Sequence, residues 1–324
     1  MKVIHMFVPD GSCEIAAGMR IIHVRPSFAS CTSDAVPLLH SDCPGFDPFA
    51  PLPPVFLYHS ASASYASPVE SGLIKIFRCL VRSASLGARL LFIAVDFLFQ
   101  ALQHGGSPPW PVRTHWLQRS AAALLRVFNM RVRSTGALPQ TGLLVSNHLT
   151  YLDIVAIGSL MPTVFVSKAE VRNWPVFGWC AQRGGTLFVD RTRRADVSRI
   201  SREIQDVLNT GQVVVLFPEG TSSNGHEVLP FKSSLLEPVC ASEHPLCVAH
   251  ISYELDQGSV ENDVCYWGGM TFLPHLIRLM TLKSIRVNIR IAPIVNRAPD
   301  RKELARQLHA EIVRLKTTAT DDKP

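Results

Sequence analysis

The hydrophobic pattern of the chain changes near residue 69. Residues 1–68 hold nine of the 23 prolines and show no sustained period of two or 3.6 residues, which predicts an irregular or disordered extension. A long apolar helix is predicted from Ser71 to Gln103. The turn from His104 to Pro111 ends it, because its glycines free the backbone and its prolines cannot continue a helix. A second helix is predicted from about Thr114 to Met130.

The first of these helices raises the question of a membrane. Between Ser85 and Gln103 it is strongly apolar, yet Asp96 lies near the centre, which disfavours a helix that simply spans a bilayer. A polar stripe follows one side of the helix: Arg82, Ser85, Arg89, Asp96, Gln100 and Gln103. We therefore expect residues 69–131 to form a basic, amphipathic helical hairpin that docks on a membrane, with a core helix of a soluble domain as the alternative.

In residues 132–324, short apolar runs alternate with helical patterns. Helices are expected near residues 151–160, 196–208 and 301–315, and strands at GLLVS, TVFVS, GTLFVD, VVVLF, LCVAHIS and VNIRIAPI. This alternation predicts an α/β domain with a central mixed, mainly parallel sheet flanked by helices, preceded by the N-terminal helical hairpin.

The composition of the chain indicates which compartment and which partners to expect. The 324 residues are 47% apolar, and 32 basic against 26 acidic side chains give a net charge of +6, which suits anionic partners such as phosphorylated substrates or acidic lipid headgroups. The excess is too small to indicate nucleic acid. The eight cysteines include no C-x-x-C pair and no histidine spacing typical of zinc. We expect reduced thiols, no metal and, because no secretory signal is seen, a cytosolic setting.

Polar residues follow three of the predicted strands at their carboxyl ends, where open α/β sheets build their binding sites. The three clusters are Asn147, His148 and Asp153 after GLLVS, Asp190 and Arg191 after GTLFV, and Pro218, Glu219, Gly220 and Thr221 after VVVLF. Taken singly, each cluster has a structural interpretation as a surface pair or a solvated turn.

The pair His148 and Asp153 has such an interpretation too. Asp153 stands three residues after Thr150 and fits a capping box at the start of a helix, a role without any chemistry. On a regular helix five residues rotate a side chain by about 500°, so the two side chains would point apart. They meet only if the chain turns between them, as the predicted strand-to-helix turn allows.

Three ordered blocks, NHLTYLD, GTLFVDR and FPEGT, resemble the NHxxxxD, GxxFxxR-type and FPEGT blocks of the glycerolipid acyltransferase family, which includes 1-acylglycerol-3-phosphate acyltransferase. The resemblance covers roughly residues 75–297 and includes VSKAEVRNWPVFGW and VLPFKSSLL. It implies a membrane-associated O-acyltransferase, and the basic hairpin suggests the inner, cytoplasmic leaflet. The enzyme would move a fatty acyl group from acyl-CoA or acyl-carrier protein to the free hydroxyl of a lysophospholipid, with no cofactor. The expected acceptor is 1-acylglycerol-3-phosphate, giving phosphatidate.

The resemblance also implies roles for residues. The attacking hydroxyl must lose a proton, and a neutral histidine suits this near pH 7, so His148 is expected to be the general base and Asp153 to orient its ring. Backbone N–H groups near Gly184, Gly185 or Gly220 are expected to stabilise the oxyanion. The substrate is expected to be bound by the remaining polar residues of the blocks: Asn147, Lys168, Arg191, Glu219, Gly220, Thr221 and Lys232.

The chain departs from the family pattern after FPEGT, where Ser222, Ser223 and Asn224 replace a common arginine, and after Lys232, where two serines replace basic residues. This sequence is closer to a bacterial subgroup that includes lyso-ornithine lipid acyltransferases, whose acceptor lacks the phosphate. Two other classes remain open: a lipid hydrolase that uses the same pair to activate water, and a lipid-binding protein without catalytic activity.

Overall fold

The computed structural model describes residues 5–7, 13–17, 20–24, 72–240 and 242–321, with side chains from 72 to 240 and 242 to 318. The chain divides into two units, Met1–Ser64 and Tyr65–Pro324. In the first unit β1 (His5–Phe7), β2 (Cys13–Ala17) and β3 (Arg20–Val24) form an antiparallel sheet in chain order. The prediction of an irregular extension over 1–68 otherwise lies outside the described residues.

The second unit is built on a sheet of seven strands. These are β4 (Met130–Thr135), β5 (Gly142–Ser146), β6 (Val164–Lys168), β7 (Leu187–Val189), β8 (Val213–Leu216), β9 (Leu246–Leu255) and β10 (Ile285–Pro293). Their order is β4-β10-β9-β5-β8-β6-β7. β10 runs antiparallel to β9, and every other neighbouring pair is parallel. The prediction of a mixed, mainly parallel sheet is confirmed.

Helices cover the sheet on both faces. They are α1 (Gly72–Gln103), α2 (Trp110–Phe128), α3 (Leu152–Leu160), α4 (Phe177–Arg183), α5 (Arg194–Asn209), α6 (Glu237–Cys240), α7 (Val260–Asp263), α8 (Phe272–Thr281) and α9 (Arg301–Asp321). Two 3₁₀ segments, Ala169–Asn173 and Ser233–Leu235, follow β6 and precede α6. One core forms between the sheet and α2, α3 and α8, and a second between the sheet and α5, α6 and α9.

β8 is apolar at every position and β5 is apolar from Leu143 to Val145, because both faces of these central strands are buried. In β5, Leu144 belongs to the first core while Val145, the next residue, belongs to the second. The edge strand β4 has a different pattern: Arg131 and Arg133 are exposed and alternate with apolar residues. For this reason a search for apolar runs predicts β5 and β8 but not β4.

One predicted helix, α2, begins earlier in the structure, and four helices were not predicted: α4, α6, α7 and α8. α2 begins at Trp110, inside the predicted turn, because Pro111 occupies its first turn, where a missing N–H breaks no helical hydrogen bond. α8 was not predicted at all. Its sequence, FLPHLIRLMT, buries one side, with Leu276 and Leu279 in the first core.

The helical hairpin packs into the same unit as the sheet. The indole nitrogen of Trp116, a side chain with no exposed surface, donates to the carbonyl oxygen of Ile93 at 3.2 Å. The ring of Trp116 also lies 5.0 Å from that of Phe97 in α1 and 6.3 Å from that of Trp179 in α4. The boundary predicted between residues 131 and 132 therefore falls inside a packed unit.

The polar stripe of α1 serves this packing. Arg82 is buried and donates to the carbonyl oxygens of Met280 at 3.2 Å and Leu282 at 2.6 Å, at the end of α8. Asp96 pairs with Arg119 of α2 at 3.0 Å. Since the last carbonyl groups of a helix have no partner within it, Arg82 satisfies groups that would otherwise be buried without a hydrogen bond.

The opposite side of α1 is apolar and exposed. We call this surface the α1 apolar face; it consists of Leu73, Ile74, Ile76, Phe77, Leu80, Val81, Leu91, Phe92, Val95, Leu98, Phe99 and Leu102. α1 is long enough and apolar enough to cross a membrane, and only 17% of its most apolar 18-residue stretch is buried. A continuous apolar surface of this size on a monomer indicates a contact with a membrane or with another protein.

Candidate active site

The turn between β5 and α3 brings His148 and Asp153 together. The Nδ1 atom of His148 lies 2.8 Å from Oδ2 of Asp153, which has no exposed surface, while 20% of the His148 side chain is exposed. A carboxylate only accepts, so Nδ1 carries the hydrogen and Nε2 keeps its lone pair. Nε2 has no partner among the described residues, and this leaves a free base at the protein surface.

Asp153 is held by more than the histidine. Its Oδ2 also accepts the N–H groups of Leu149 at 2.7 Å and Thr150 at 3.1 Å, so the carboxylate holds the turn before α3 as well as contacting the ring. Its Oδ1 accepts the hydroxyl of Tyr253 at 2.6 Å. With four donors around it, the carboxylate is stabilised as an anion in a buried position.

Asn147, the residue before His148, is buried. Its amide nitrogen donates to the carbonyl oxygen of Ile251 at 3.0 Å, and its amide oxygen accepts the N–H of Ile251 at 2.8 Å. These two bonds continue the pairing of β5 with β9 beyond Ser146, where the main chain leaves the sheet. Asn147, predicted to bind substrate, therefore supports the backbone that carries His148.

Glu219 also supports this backbone. Its Oε1 accepts the N–H of His148 at 3.0 Å, while Oε2 is buried and has no hydrogen-bond partner in the described part of the chain. Burial raises the pKa of Glu219 to about 8, against the opposing effect of the His148 N–H. Phe217, two residues earlier, stacks on the His148 ring with centroids 4.3 Å apart.

Two cations converge at Gly220. This residue has a φ of +75°, and a Cβ there would collide with Nη1 of Arg191 and lie 3.0 Å from Nζ of Lys232. Arg191 contacts the carbonyl oxygen of Phe217 at 3.5 Å, and its Nε is buried without a partner in the described structure. Burial lowers the pKa of Arg191, which marks a charge that gains from an anionic partner.

The other predicted site residues lie farther from this arrangement. Lys168 is exposed at the end of β6, in register with Val189 of β7, and the exposed Thr221 contacts only the carbonyl oxygen of Ser222 at 3.5 Å among the described residues.

The three glycines proposed near an oxyanion use their own N–H groups in turns. Gly184 donates to the carbonyl oxygen of Cys180, Gly185 to that of Gln182, and Gly220 to that of Phe217. In this arrangement none of the three N–H groups is available to an oxyanion.

An apolar cavity of about 130 Å³ lies between α1, α2, α3 and α8. Phe165 in its lining lies 6.3 Å from the ring of Phe217, which in turn stacks on the ring of His148. Its lining includes Leu90, Ile93, Leu124, Tyr151, Trp174 and Phe272. Tyr151 directly precedes α3, three residues after His148. The cavity therefore provides space for a hydrocarbon chain near the turn that carries His148.

A larger polar cleft, about 740 Å³, borders Asn147 and Tyr253. Its charged lining carries both signs, with Arg133, Arg290 and Lys316 opposed by Glu227, Glu254 and Glu261. Because the signs balance, the cleft has no clear preference for an anion or a cation. Among the residues that the structure describes, no group of three or more His, Cys, Asp or Glu side chains is placed to hold a metal ion.

The sequence predictions missed two members of the site, Tyr253 and Phe217. The predicted strand LCVAHIS stopped one residue short of Tyr253, whereas β9 continues to Leu255. The alternation of Ile251, Tyr253 and Leu255 on one face of the strand was the available signal.

Comparisons with known proteins point to acyltransferases. A protein-family model described as Acyltransferase matches residues 129–252. The lyso-ornithine lipid O-acyltransferase of Brucella abortus is 33% identical over 257 residues, which cover 74% of this chain and 93% of that protein. The 1-acyl-sn-glycerol-3-phosphate acyltransferase of Neisseria gonorrhoeae is 39% identical over 99 residues, 31% of this chain and 39% of that protein.

A solved structure has the same fold. The crystal structure of the 1-acyl-sn-glycerophosphate acyltransferase from Thermotoga maritima superposes with a TM-score of 0.55 and 17% sequence identity, and covers 78% of this chain and 98% of that one.

Proposed function

Because the chain belongs to the glycerolipid acyltransferase family and is an O-acyltransferase, we propose that it acylates the free hydroxyl of a lysolipid with His148 as the general base. The observation that carries this proposal is the hydrogen bond between Nδ1 of His148 and the buried carboxylate of Asp153, which leaves Nε2 without a partner among the described residues.

In the proposed reaction the acceptor attacks the donor directly. Nε2 of His148 takes the hydroxyl proton as the oxygen bonds to the thioester carbonyl carbon, and Asp153 stabilises the imidazolium that forms. The tetrahedral intermediate then collapses, the carbon–sulfur bond breaks, and the imidazolium returns its proton to the leaving sulfur. The products are an ester and a free thiol, so no cofactor is consumed. We propose acyl-CoA or acyl-carrier protein as the thioester.

The acceptor is proposed to place its anionic group between Arg191 and Lys232, near Gly220. Arg191 offers a planar fork and Lys232 a point charge, which suit a carboxylate or a phosphate. Ser222, which stands close to where the family often has an arginine, donates its hydroxyl to the carbonyl oxygen of Tyr266.

Two acceptors fit this site. We propose lyso-ornithine lipid as the first, because the relatives named for it match over up to 93% of their length. 1-Acylglycerol-3-phosphate is the second, supported by the relatives named for that reaction. Both acceptors carry an anion and a free hydroxyl.

We also propose that the α1 apolar face holds the enzyme on the cytoplasmic side of a membrane. Its twelve exposed apolar side chains carry the membrane association, and the net charge of +6 favours anionic headgroups. Deleting residues 71–130 would remove Trp116 and its packing, so the better test is substitution on the surface, such as Leu91→Asp with Leu98→Asp. These changes should release the protein from vesicles and leave its melting temperature unchanged. Continued pelleting with vesicles would refute this role.

The test of the reaction is acyl transfer with purified protein in vesicles. Radiolabelled donor is supplied with lyso-ornithine lipid, 1-acylglycerol-3-phosphate or a lysolipid without an anionic group. New diacyl product supports the proposal, and the acceptor with the highest kcat/KM identifies the substrate. Free fatty acid as the sole product would show a hydrolase, and binding without product would show a lipid-binding protein. His148→Ala serves as the inactive control.

A further inference from the structure

Exposed large apolar side chains are unevenly distributed in the described structure. Besides the twelve on the α1 apolar face, three lie elsewhere in a second group: Val176, which is 48% exposed, Leu273, which is 61% exposed, and Ile277, which is 48% exposed. The two remaining ones, Val295 and Val313, lie after β10 and on α9. We call Val176, Leu273 and Ile277 the α8 edge.

The α8 edge lies next to the α1 apolar face. At one end, Nη1 of Arg78 donates to the carbonyl oxygen of Thr281 at 2.6 Å, and at the other end Phe272 lines the same cavity as Leu90 and Ile93. α8 therefore runs antiparallel alongside α1.

The exposed side of α8 can be placed from helix periodicity. Residues 273, 277 and 280 share one side of the helix, and Met280 on that side lies 3.2 Å from the hydroxyl of Ser83 in α1. Leu273 and Ile277 are thus on the side of α8 that adjoins α1.

Val176 has an unusual backbone. Its φ of 62° and ψ of −54° form a γ-turn, in which the N–H of Phe177 donates to the carbonyl oxygen of Pro175 at 2.6 Å. This conformation is strained for a β-branched residue. Because nearly half of the side chain remains exposed, packing within the unit does not account for the strain. Strain of this kind is concentrated at sites that contact a ligand.

Between α8 and this turn lies an aromatic cluster at the outer wall of the apolar cavity. The ring of Phe272 lies 5.2 Å from that of Trp174, 5.3 Å from that of Phe177 and 5.2 Å from that of Tyr151. All four side chains line the cavity. This aromatic part of the cavity wall includes Phe272 of α8 and Phe177, the residue after Val176. Among these four side chains, the hydroxyl of Tyr151 contacts Nδ1 of His275 at 3.0 Å, and the rings of Phe272 and Phe177 can rotate without breaking a polar contact.

We propose that the α8 edge is a second lipid-contacting surface, continuous with the α1 apolar face, and that a hydrocarbon chain of the bilayer enters the apolar cavity between α8 and the turn at Val176. The occupant is a lipid acyl chain, because the edge continues an apolar surface and the cavity behind it is lined by apolar and aromatic side chains. The proposal rests on the proposed function, since it supplies the route by which a membrane-embedded acceptor reaches His148.

Photolabelling tests the contact without relying on activity. The full chain is bound to vesicles of phosphatidylcholine and phosphatidylglycerol that contain a lipid with a diazirine near the end of its acyl chain. After illumination, peptide mass spectrometry should find adducts within residues 172–177 and 272–278 as well as on α1. Adducts confined to α1 would overturn the proposal.

Variants test the route. In Leu273→Asp with Ile277→Asp, kcat/KM for a vesicle-embedded acceptor should fall at least about tenfold, since two apolar contacts with lipid become charged. With a short-chain acceptor dissolved as monomers, the same variant should stay within about twofold of the unchanged protein, because that acceptor does not come from the bilayer. Val176→Asp should behave in the same way.

The matched control is Val295→Asp, which adds the same charge at an exposed valine after the antiparallel strand β10, away from α1. It should change neither activity. An equal loss with both acceptors, or no loss with the embedded one, would contradict the route through the α8 edge. Labelling of the edge in a protein that transfers no acyl group to any acceptor would instead contradict the proposed function and leave the lipid contact standing.

Discussion

The substitution Asp153→Asn tests whether the charge of the buried carboxylate is used in catalysis. Asparagine preserves the shape of the site. Its oxygen can take the place of Oδ2, which accepts from His148, Leu149 and Thr150, and its NH₂ group can face Tyr253, whose hydroxyl accepts as well as donates. The histidine tautomer is therefore retained and only the negative charge is lost.

The magnitude follows from the geometry. With the ring nitrogen 2.8 Å from Oδ2, the centres of the imidazolium and carboxylate charges are about 4 Å apart, and at an effective dielectric constant of about 20 their attraction is about 4 kcal/mol. The imidazolium exists only after proton transfer, so this energy is lost mainly from the transition state. Since about 1.4 kcal/mol is a factor of ten, and the neutral hydrogen bond that remains offsets part of the loss, kcat/KM should fall between about 10²- and 10³-fold.

The assay measures initial rates of radiolabelled diacyl product in vesicles, together with the melting temperature. Two variants provide controls. Tyr253→Phe keeps the charge of Asp153 but removes one donor, so it should cost about 1 to 3 kcal/mol of stability and lower kcat/KM less than Asp153→Asn does. Asp256→Asn makes the same chemical change at an exposed pair with Arg286 and should leave the rate within about twofold. A fall of less than about tenfold in a folded Asp153→Asn protein would refute electrostatic stabilisation by this carboxylate.

Three further predictions concern neighbouring residues. His148→Ala should lower acyl transfer at least about 10²-fold without changing vesicle binding in a flotation assay; retained activity would remove the histidine from its assigned role. Glu219 has a pKa raised from 4.5 to about 8, so the folded state keeps a proton that the unfolded state has released, and the stability is full below about pH 4.5 and declines as the pH rises through 8. Glu219→Gln should remove this decline, so the melting temperature of the variant should rise relative to that of the unchanged protein between about pH 5 and 9. Parallel plots of melting temperature against pH would mean that Glu219 titrates normally. Gly220→Ala should raise KM for an anionic acceptor at least about tenfold, because the new Cβ displaces Arg191, whereas Gly211→Ala, with a similar φ of +78° and open space around it, carries only the backbone strain and should leave KM unchanged.

The parts of the fold that local sequence determines were predictable. A strand buried on both faces needs an apolar run, so β5 and β8 could be predicted from sequence alone. The polar clusters after them could be predicted because binding sites form at the carboxyl ends of such strands. The apolar residues of α8, among them Leu276, Leu279 and Met280, recur at helical spacing, so this helix was available to a sequence prediction and was missed. Its contact with α1, about 200 residues earlier in the chain, is encoded by no local pattern; an example is the bond from Arg82 to the carbonyl oxygen of Leu282.

Within the site, sequence could predict which residues come together but not what each one does. Asn147 and Glu219 have side chains that bind ligands in many proteins, and nothing in a single sequence separates that role from support of a backbone. Their hydrogen bonds to Ile251 and to the His148 N–H answer the question only in three dimensions. Tyr253 reaches Asp153 across 100 positions of sequence, a contact that no local pattern encodes.

The side chain of Asn147 has a consequence for the timescale of motion at the site. Its amide forms the same two hydrogen bonds to Ile251 that a further residue of β5 would form through its peptide groups. The segment that carries His148 therefore opens only when a bond of the central sheet breaks, and its local opening free energy belongs to the core rather than to a surface turn. The amide hydrogen of Ile251 should therefore exchange with solvent as slowly as those of its neighbours in β9, and its exchange rate would report how often the segment that carries His148 opens.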